Sequence, residues 1–174
     1  MLHRLDIAPP EPLTKAAVLV PVLDTSNGLS LILTLRTQTV SHHKGQISFP
    51  GGMAEKSDTS LWHTATRETH EEIGLPASKL LYVKKLPSLI TPTAFEVTPF
   101  VAFVHDAENL VPNPDEIETI LTVPLSVFRD PTNLHVESRI YFDKSYPVPF
   151  FTYGPHQIWG ATGRIILSML EIWK

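Results

Sequence analysis

A chain of 174 residues is one domain's length and long enough to bury a sizeable core, so a single domain is expected over 1–174. Its composition, 43% apolar and 18% charged, excludes a disordered chain, and the net charge of −4 argues against nucleic-acid binding, which needs basic surface over phosphates. With no cysteine, a disulfide framework, a thiolate metal site and a cysteine nucleophile are all excluded.

The Pro-rich residues 1–13 read as an arm leading into the domain. They lack the apolar core of a secretory signal, and no run of about 18 apolar residues follows, so a cytoplasmic protein without membrane contact is expected. Residues 15–22, K-A-A-V-L-V-P-V, form an apolar run suited to a strand buried on both faces, with Pro21 marking its end or a bulge. The D-T-S-N-G turn at 24–28 closes a hairpin. In the next strand, 29–36, leucines at 29, 31, 33 and 35 alternate with Ser30, Ile32, Thr34 and Arg36. A turn at Pro50-Gly51-Gly52 then leads into a helix. Ser57, Asp58, Thr59 and Ser60 offer N-cap oxygens, Gly74 the left-handed C′ position, and Pro76 prevents continuation. Trp62, Ala65, Thr69 and Ile73 form its core-facing stripe. Further strands are predicted at 80–85, 97–104 and 117–123, a late hairpin at 139–142 and 148–152, and a second helix from 161 onward. Strands before, between and after two helices predict a mixed sheet with helices on both sides, an α/β (α+β) architecture.

Chemistry concentrates on the first helix. Glu68 and Glu72 are i,i+4 neighbours, and Glu71 lies one turn from Glu68. Three carboxylates this close repel one another unless something neutralises them, and a hard divalent cation takes oxygen ligands of this kind, keeping waters and substrate phosphates in its shell. The alternative is a solvated acidic face on which Arg67 simply pairs with Glu71.

Together these residues resemble the Nudix box, G-x5-E-x7-R-E-U-x-E-E-x-G-U with U apolar, through Gly52, Arg67, Glu68, Glu71, Glu72, Gly74 and Leu75. Asp58 stands where the box has Glu, eight residues separate it from Arg67 instead of seven, and Thr69 replaces the first apolar U. The early acidic position then reads as a cap or loop-fixing group. Residues 32–52 also resemble the signature of the coenzyme A pyrophosphatase branch of Nudix hydrolases, L-L-T-x-R-[SA]-x3-R-x3-G-x3-F-P-G-G, with every spacing kept. Ile32, Thr37 and Ser41 depart from it, the last at the position of an Arg. The run I-W-G-A-T-G-R-I-I at 158–166 is similar to that branch's last helix.

The resemblance implies a Nudix-type α/β/α sandwich with a mixed β-sheet. It implies Mg²⁺ or Mn²⁺ on Glu68, Glu72 and Glu71 with a carbonyl at Gly51 or Gly52, while Arg67 orients a glutamate. The base is a box glutamate, Glu68 or Glu71, or an acid of the N-P-D-E-I-E turn, among which Glu116 is favoured beside Asp115 and Glu118. Arg36, His43 and Lys44 supply cations for phosphates. Gln46 either contacts substrate or fixes the loop, and Phe49 is either a core anchor or a ring against the base. The implied reaction is hydrolysis of the diphosphate bond of coenzyme A or its derivatives, to 3′,5′-ADP and 4′-phosphopantetheine. Another nucleoside diphosphate derivative such as ADP-ribose, or a non-catalytic nucleotide-binding domain, are the other readings. Homodimers are common among such relatives.

Overall fold

The computed structural model describes residues 9, 12–37 and 45–173; His43, Lys44 and most of the expected N-terminal arm lie outside the described residues. In chain order the elements are β1 (Thr14–Thr25), β2 (Gly28–Arg36), β3 (Ile47–Ser48), β4 (Gly51–Met53), α1 (Leu61–Ile73), β5 (Leu80–Lys85), β6 (Leu89–Ile90) and β7 (Phe95–Val104). There follow β8 (Ile117–Pro124), α2 (Leu125–Arg129), β9 (Leu134–Tyr141), β10 (Lys144–Tyr153), β11 (His156–Trp159) and α3 (Gly160–Ile172).

β1 is the centre of a mixed sheet. It runs parallel to β7 from Thr14 to Leu23, while the other pairings of this sheet are antiparallel. The period-2 pattern decides what each face packs against. From β1 and β2, Val20, Val22, Leu31 and Leu33 join the cluster that holds Phe151, Ile158, Ile165, Ile166 and Met169 of the second sheet and α3. From the same strands, Ala17, Leu19 and Ile32 turn to the other face and pack with Ala65 and Ile73 of α1. Helices therefore cover both faces, the α/β/α layering expected from the element order. β9, β10 and β11 form a separate three-stranded sheet.

Pro21 neither ends nor bulges its strand, contrary to the sequence expectation. β1 passes through it, in register with Ala102 of β7. Its other side is bonded to β4 only over Ala16–Val18 and to β2 only from Val22 onward. Leu19, of the same parity, donates its N–H on that side to Pro50 O at 2.9 Å. The missing proline donor falls in the gap, where no ladder bond is due.

That gap positions the site. Beyond Leu31, β1 and β2 splay apart, and residues 47–53 insert between them. β3 pairs with Thr34 and Leu35 of β2, and β4 pairs with Ala16–Val18 of β1. The late hairpin also shifts. β9 starts earlier than expected, at Leu134, and Phe142, expected in a strand, stands with Asp143 in the turn at φ 51° and 60°. A two-residue hairpin turn of type I′ needs two such left-handed residues.

Candidate functional site

α1 is capped as the sequence predicts. Ser60 is the N-cap, its Oγ accepting the His63 N–H at 3.1 Å, and Gly74 adopts φ 70°, its N–H donating to His70 O. The stripe buries Ala65, Thr69 and Ile73, while Trp62 meets Tyr82 and Phe100 edge-on at 5.1 and 5.7 Å. One helical step beside this stripe, Glu72 is buried, only 3% exposed.

The Glu72 carboxylate lies in the splay between β1 and β2. Its Oε2 accepts the Gly51 N–H at 3.3 Å, and its Oε1 accepts from Arg36 Nη1 at 3.1 Å. Arg36 comes from the end of β2 and also reaches Glu116 Oε2 at 3.6 Å. Burial pushes Glu72 up to about 8; Arg36 and the Gly51 amide oppose this, and the charges of Glu116 and Glu68 add to it. Glu68 is raised by burial as well, against Arg67. Its carboxyl rests on Gly52, where an added Cβ would come within 2.4 Å of Cδ. Gly52 has no side chain because the Glu68 carboxylate takes that place.

Arg67 is the second organising cation. Its Nε and Nη2 donate to Asp58 at 3.0 and 3.1 Å, its Nη2 also to Met53 O at 3.2 Å, and its Nη1 lies 3.0 Å from both Glu68 Oε1 and Glu71 Oε2. Asp58 is 2% exposed and takes two further bonds, from Thr64 Oγ1 at 2.9 Å and the Glu55 N–H at 3.0 Å. The Arg67 guanidinium holds its carboxyl well below the usual carboxylate range. The early acid of the box-like segment thus anchors Arg67 and the loop.

A cavity of about 870 Å³ opens at this point, and Glu68, Glu72, Glu116, Arg36, Gln46 and Gly52 all line it. Glu71 does not: it is 53% exposed and turned to Arg67. Asp115 and Glu118 are not among its lining residues either. Phe49 borders the cavity from within the core cluster at 2% exposure, so it shapes the space as a core anchor instead of presenting a ring. The other wall comes from residues that sequence reasoning left without a role: Tyr141 of β9 and Trp159, Thr162 and Arg164 around the start of α3. Trp159, Thr162 and Arg164 were signalled by the I-W-G-A-T-G-R run, and Tyr141 only by its place in the late hairpin.

Among the described residues, no three His, Asp or Glu side chains already converge as a metal-ligand set. Glu72 is held by Arg36 and Glu68 by Arg67. The donors nevertheless fit a hard divalent cation: they are all oxygen, two of the carboxylates resist ionisation because of burial and mutual charge, and Gly52 leaves one of them its room.

The NUDIX domain model matches residues 13–144. Nudix hydrolase 15, mitochondrial, of Arabidopsis thaliana is 35% identical over 165 residues, which cover 91% of this chain and 58% of that protein. The human mitochondrial coenzyme A diphosphatase NUDT8 is 34% identical over 164 residues, 90% of this chain and 68% of that one. The chain thus spans between half and three quarters of the length of these relatives. A MutT/nudix family protein from Enterococcus faecalis superposes with a TM-score of 0.63 over 97% of this chain and 65% of that one, and at 14% identity this shows the shared fold. The carboxylates gathered at Gly51-Gly52, the sheet they sit in and the matched sequence agree: the chain belongs to the Nudix hydrolase family.

Proposed function

We propose that this chain is a divalent-metal-dependent diphosphatase that cleaves coenzyme A or its derivatives to 3′,5′-ADP and 4′-phosphopantetheine. The observation that carries the reading is the convergence of Glu68, Glu72 and Glu116 on one cavity beside the Gly51-Gly52 backbone. Glu68 and Glu72 would hold Mg²⁺ or Mn²⁺, with main-chain oxygen from the Gly51-Gly52 turn. When bound, the cation neutralises the diphosphate and makes an attacking water more acidic. Glu116, in the cavity and 45% exposed, is the residue to take that water's proton. Arg67 touches none of this directly; it directs Glu68 and holds Glu71 away. Arg36 holds Glu72 and Glu116 together, which defines the acidic end of the cavity.

Support for coenzyme A comes from the branch-like motif, whose described residues Arg36, Gln46 and Phe49 line the cavity, and from the similarity to a coenzyme A diphosphatase. The metal site does not choose among diphosphates, so ADP-ribose remains the competing substrate. A product assay of coenzyme A beside ADP-ribose with Mn²⁺ tests the reading. Coenzyme A is expected to turn over faster by about tenfold or more, and faster cleavage of ADP-ribose would reject it.

Two adjacent glycines give a second test, because they are constrained for different reasons. At Gly52 a Cβ would strike the Glu68 carboxyl, the movable end of a side chain, so Gly52→Ala should fold normally and lose turnover. At Gly51, with φ +151°, a Cβ would lie 2.3 Å from Ala17 O, which is backbone of the central strand. Gly51→Ala should lose about 2–5 kcal/mol of stability. Equal melting temperatures for the two variants would contradict this assignment.

A further inference from the structure

The cavity has a second end that the metal chemistry does not use, and the three-stranded sheet supplies part of its wall. One face of that sheet is core: Phe151 and Ile158, partners across the β10–β11 ladder, are fully buried in the cluster that holds Ile165 and Ile166 of α3. The opposite face carries a row of rings, one from each strand: His135 of β9, Phe150 of β10 and Trp159 of β11. We propose that Trp159 is the platform on which the nucleobase of the substrate stacks. This rests on the diphosphatase reading above and deepens it: the substrate class is a diphosphate with a purine nucleotide half, the part that coenzyme A and ADP-ribose share.

The row is a stack with one open end. His135 and Phe150 lie 5.2 Å apart with their planes at 18°, and Phe150 and Trp159 lie 5.4 Å apart at 7°. Phe150, between two rings, is 5% exposed. Trp159 is the last of the row because β11 is an edge strand, and it meets no other ring among the described residues. It borders the cavity. With Phe150 flat against one face, what Trp159 offers the cavity is its other face and its edges. Neither Phe150 nor Trp159 belongs to a core cluster, so the stack is not an extension of the core. An aromatic face backed by a second parallel ring suits a further flat π-system, and every nucleobase has one.

Two further observations point the same way. Among the described residues, the rings bordering the cavity are Phe49, Phe95, Tyr141 and Trp159, and only Trp159 has a parallel ring behind it. Phe49, which the sequence offered as a ring against the base, lies in the core, and Tyr141 meets Tyr146 tilted by 40°. The platform is also fixed before a ligand arrives. Trp159 is paired with Phe150 in the ladder and stands at the N-cap of α3, whose Thr162 donates its hydroxyl to Ile47 O at 3.1 Å. Ile47 begins the inserted segment 47–53 that carries the Gly51-Gly52 turn, so one short stretch ties the ring to the diphosphate end of the cavity. A surface already held in place loses little freedom when a base settles on it.

The test is calorimetry of AMP against ribose 5-phosphate, which lacks the base, with Mg²⁺, on wild type and Trp159→Ala. Wild type should bind AMP more tightly by about tenfold or more. Trp159→Ala should bring the two affinities together by weakening AMP and leaving ribose 5-phosphate as it was. A merely structural tryptophan would weaken both alike and keep their ratio, which overturns the proposal, as does a wild type without preference for AMP. If Trp159→Ala does not fold, the tryptophan emission of wild type and Trp159→Phe decides. Trp62 packs on Tyr82 and Phe100, and Trp173 on Phe103, so quenching by AMP should come from Trp159 and disappear in Trp159→Phe. No quenching in wild type, quenching that persists in the variant, or quenching as strong with ribose 5-phosphate overturns the proposal. Neither measurement needs turnover, so the two readings fail separately. Base-dependent binding through Trp159 in a protein that cleaves no diphosphate would keep the platform and reject the diphosphatase reading; cleavage of coenzyme A without that binding would do the reverse.

Discussion

Glu72→Gln is expected to lower diphosphate turnover by at least about a hundredfold while the protein stays folded, since even groups that merely support a metal ligand cost about 10–100-fold when lost. Glutamine conserves volume and still accepts from the Gly51 amide, but it is a poor ligand for a hard cation. Its effect on stability has a defined sign. Glu72 is raised from its ordinary 4.5 to about 8, so the folded state holds its proton more tightly than the unfolded state does. Below pH 4.5 both states are protonated and ionisation carries no penalty; the penalty grows from 4.5 to about 8 and is complete above that. The upper limit is about 1.4 kcal/mol per pH unit in this window, reduced in the variant by the lost Arg36 pair. Glu72→Gln should therefore match wild type at pH 4.5 and melt higher than wild type at pH 8. Adding Mg²⁺ should raise the melting temperature of wild type and not of the variant, because a ligand stabilises only the state that binds it. Undiminished turnover by the folded variant would remove Glu72 from the metal site.

The largest loss of stability is expected from Asp58→Ala. Asp58 is buried and accepts from Arg67 twice, from Thr64 and from the Glu55 amide. Removing it leaves the Arg67 charge, 18% exposed, without its main partner, a change that costs about 3–5 kcal/mol for a buried pair. Arg67 then no longer holds Glu68, Glu71 and the Met53 carbonyl in fixed relation, so turnover should fall as well. Because Asp58 is held below its unfolded value of 3.8, its contribution is present above that pH and disappears as the pH falls through the lower folded value. The difference between wild type and Asp58→Ala should accordingly narrow in acid. Denaturation profiles at several pH values measure this, and a difference unchanged down to acid unfolding would contradict the ion-pair account.

The amino-acid sequence by itself determined the elements whose causes are local. α1 follows from Ser60, Gly74 and a stripe at spacings of three and four, and β2 from its alternating leucines; both stand where those patterns place them. The acidic spacing on α1 was equally legible, but not which acids face the cavity. A helical repeat relates Glu68, Glu71 and Glu72 to one another without relating any of them to the rest of the chain. Only the docking of α1 on the splayed strands buries Glu72 beside Arg36 and leaves Glu71 outside on Arg67. Short strands such as β3, β4 and β11 escaped notice because two to four residues carry no period, and their pairing partners lie far along the chain. Passage of β1 through Pro21 depends likewise on the absence of a neighbour there, a fact of the sheet. Arg164 shows the same limit. In the sequence it is one arginine in an apolar helix, and it becomes a wall of the cavity only because the tertiary fold brings α3 against β3 and β10.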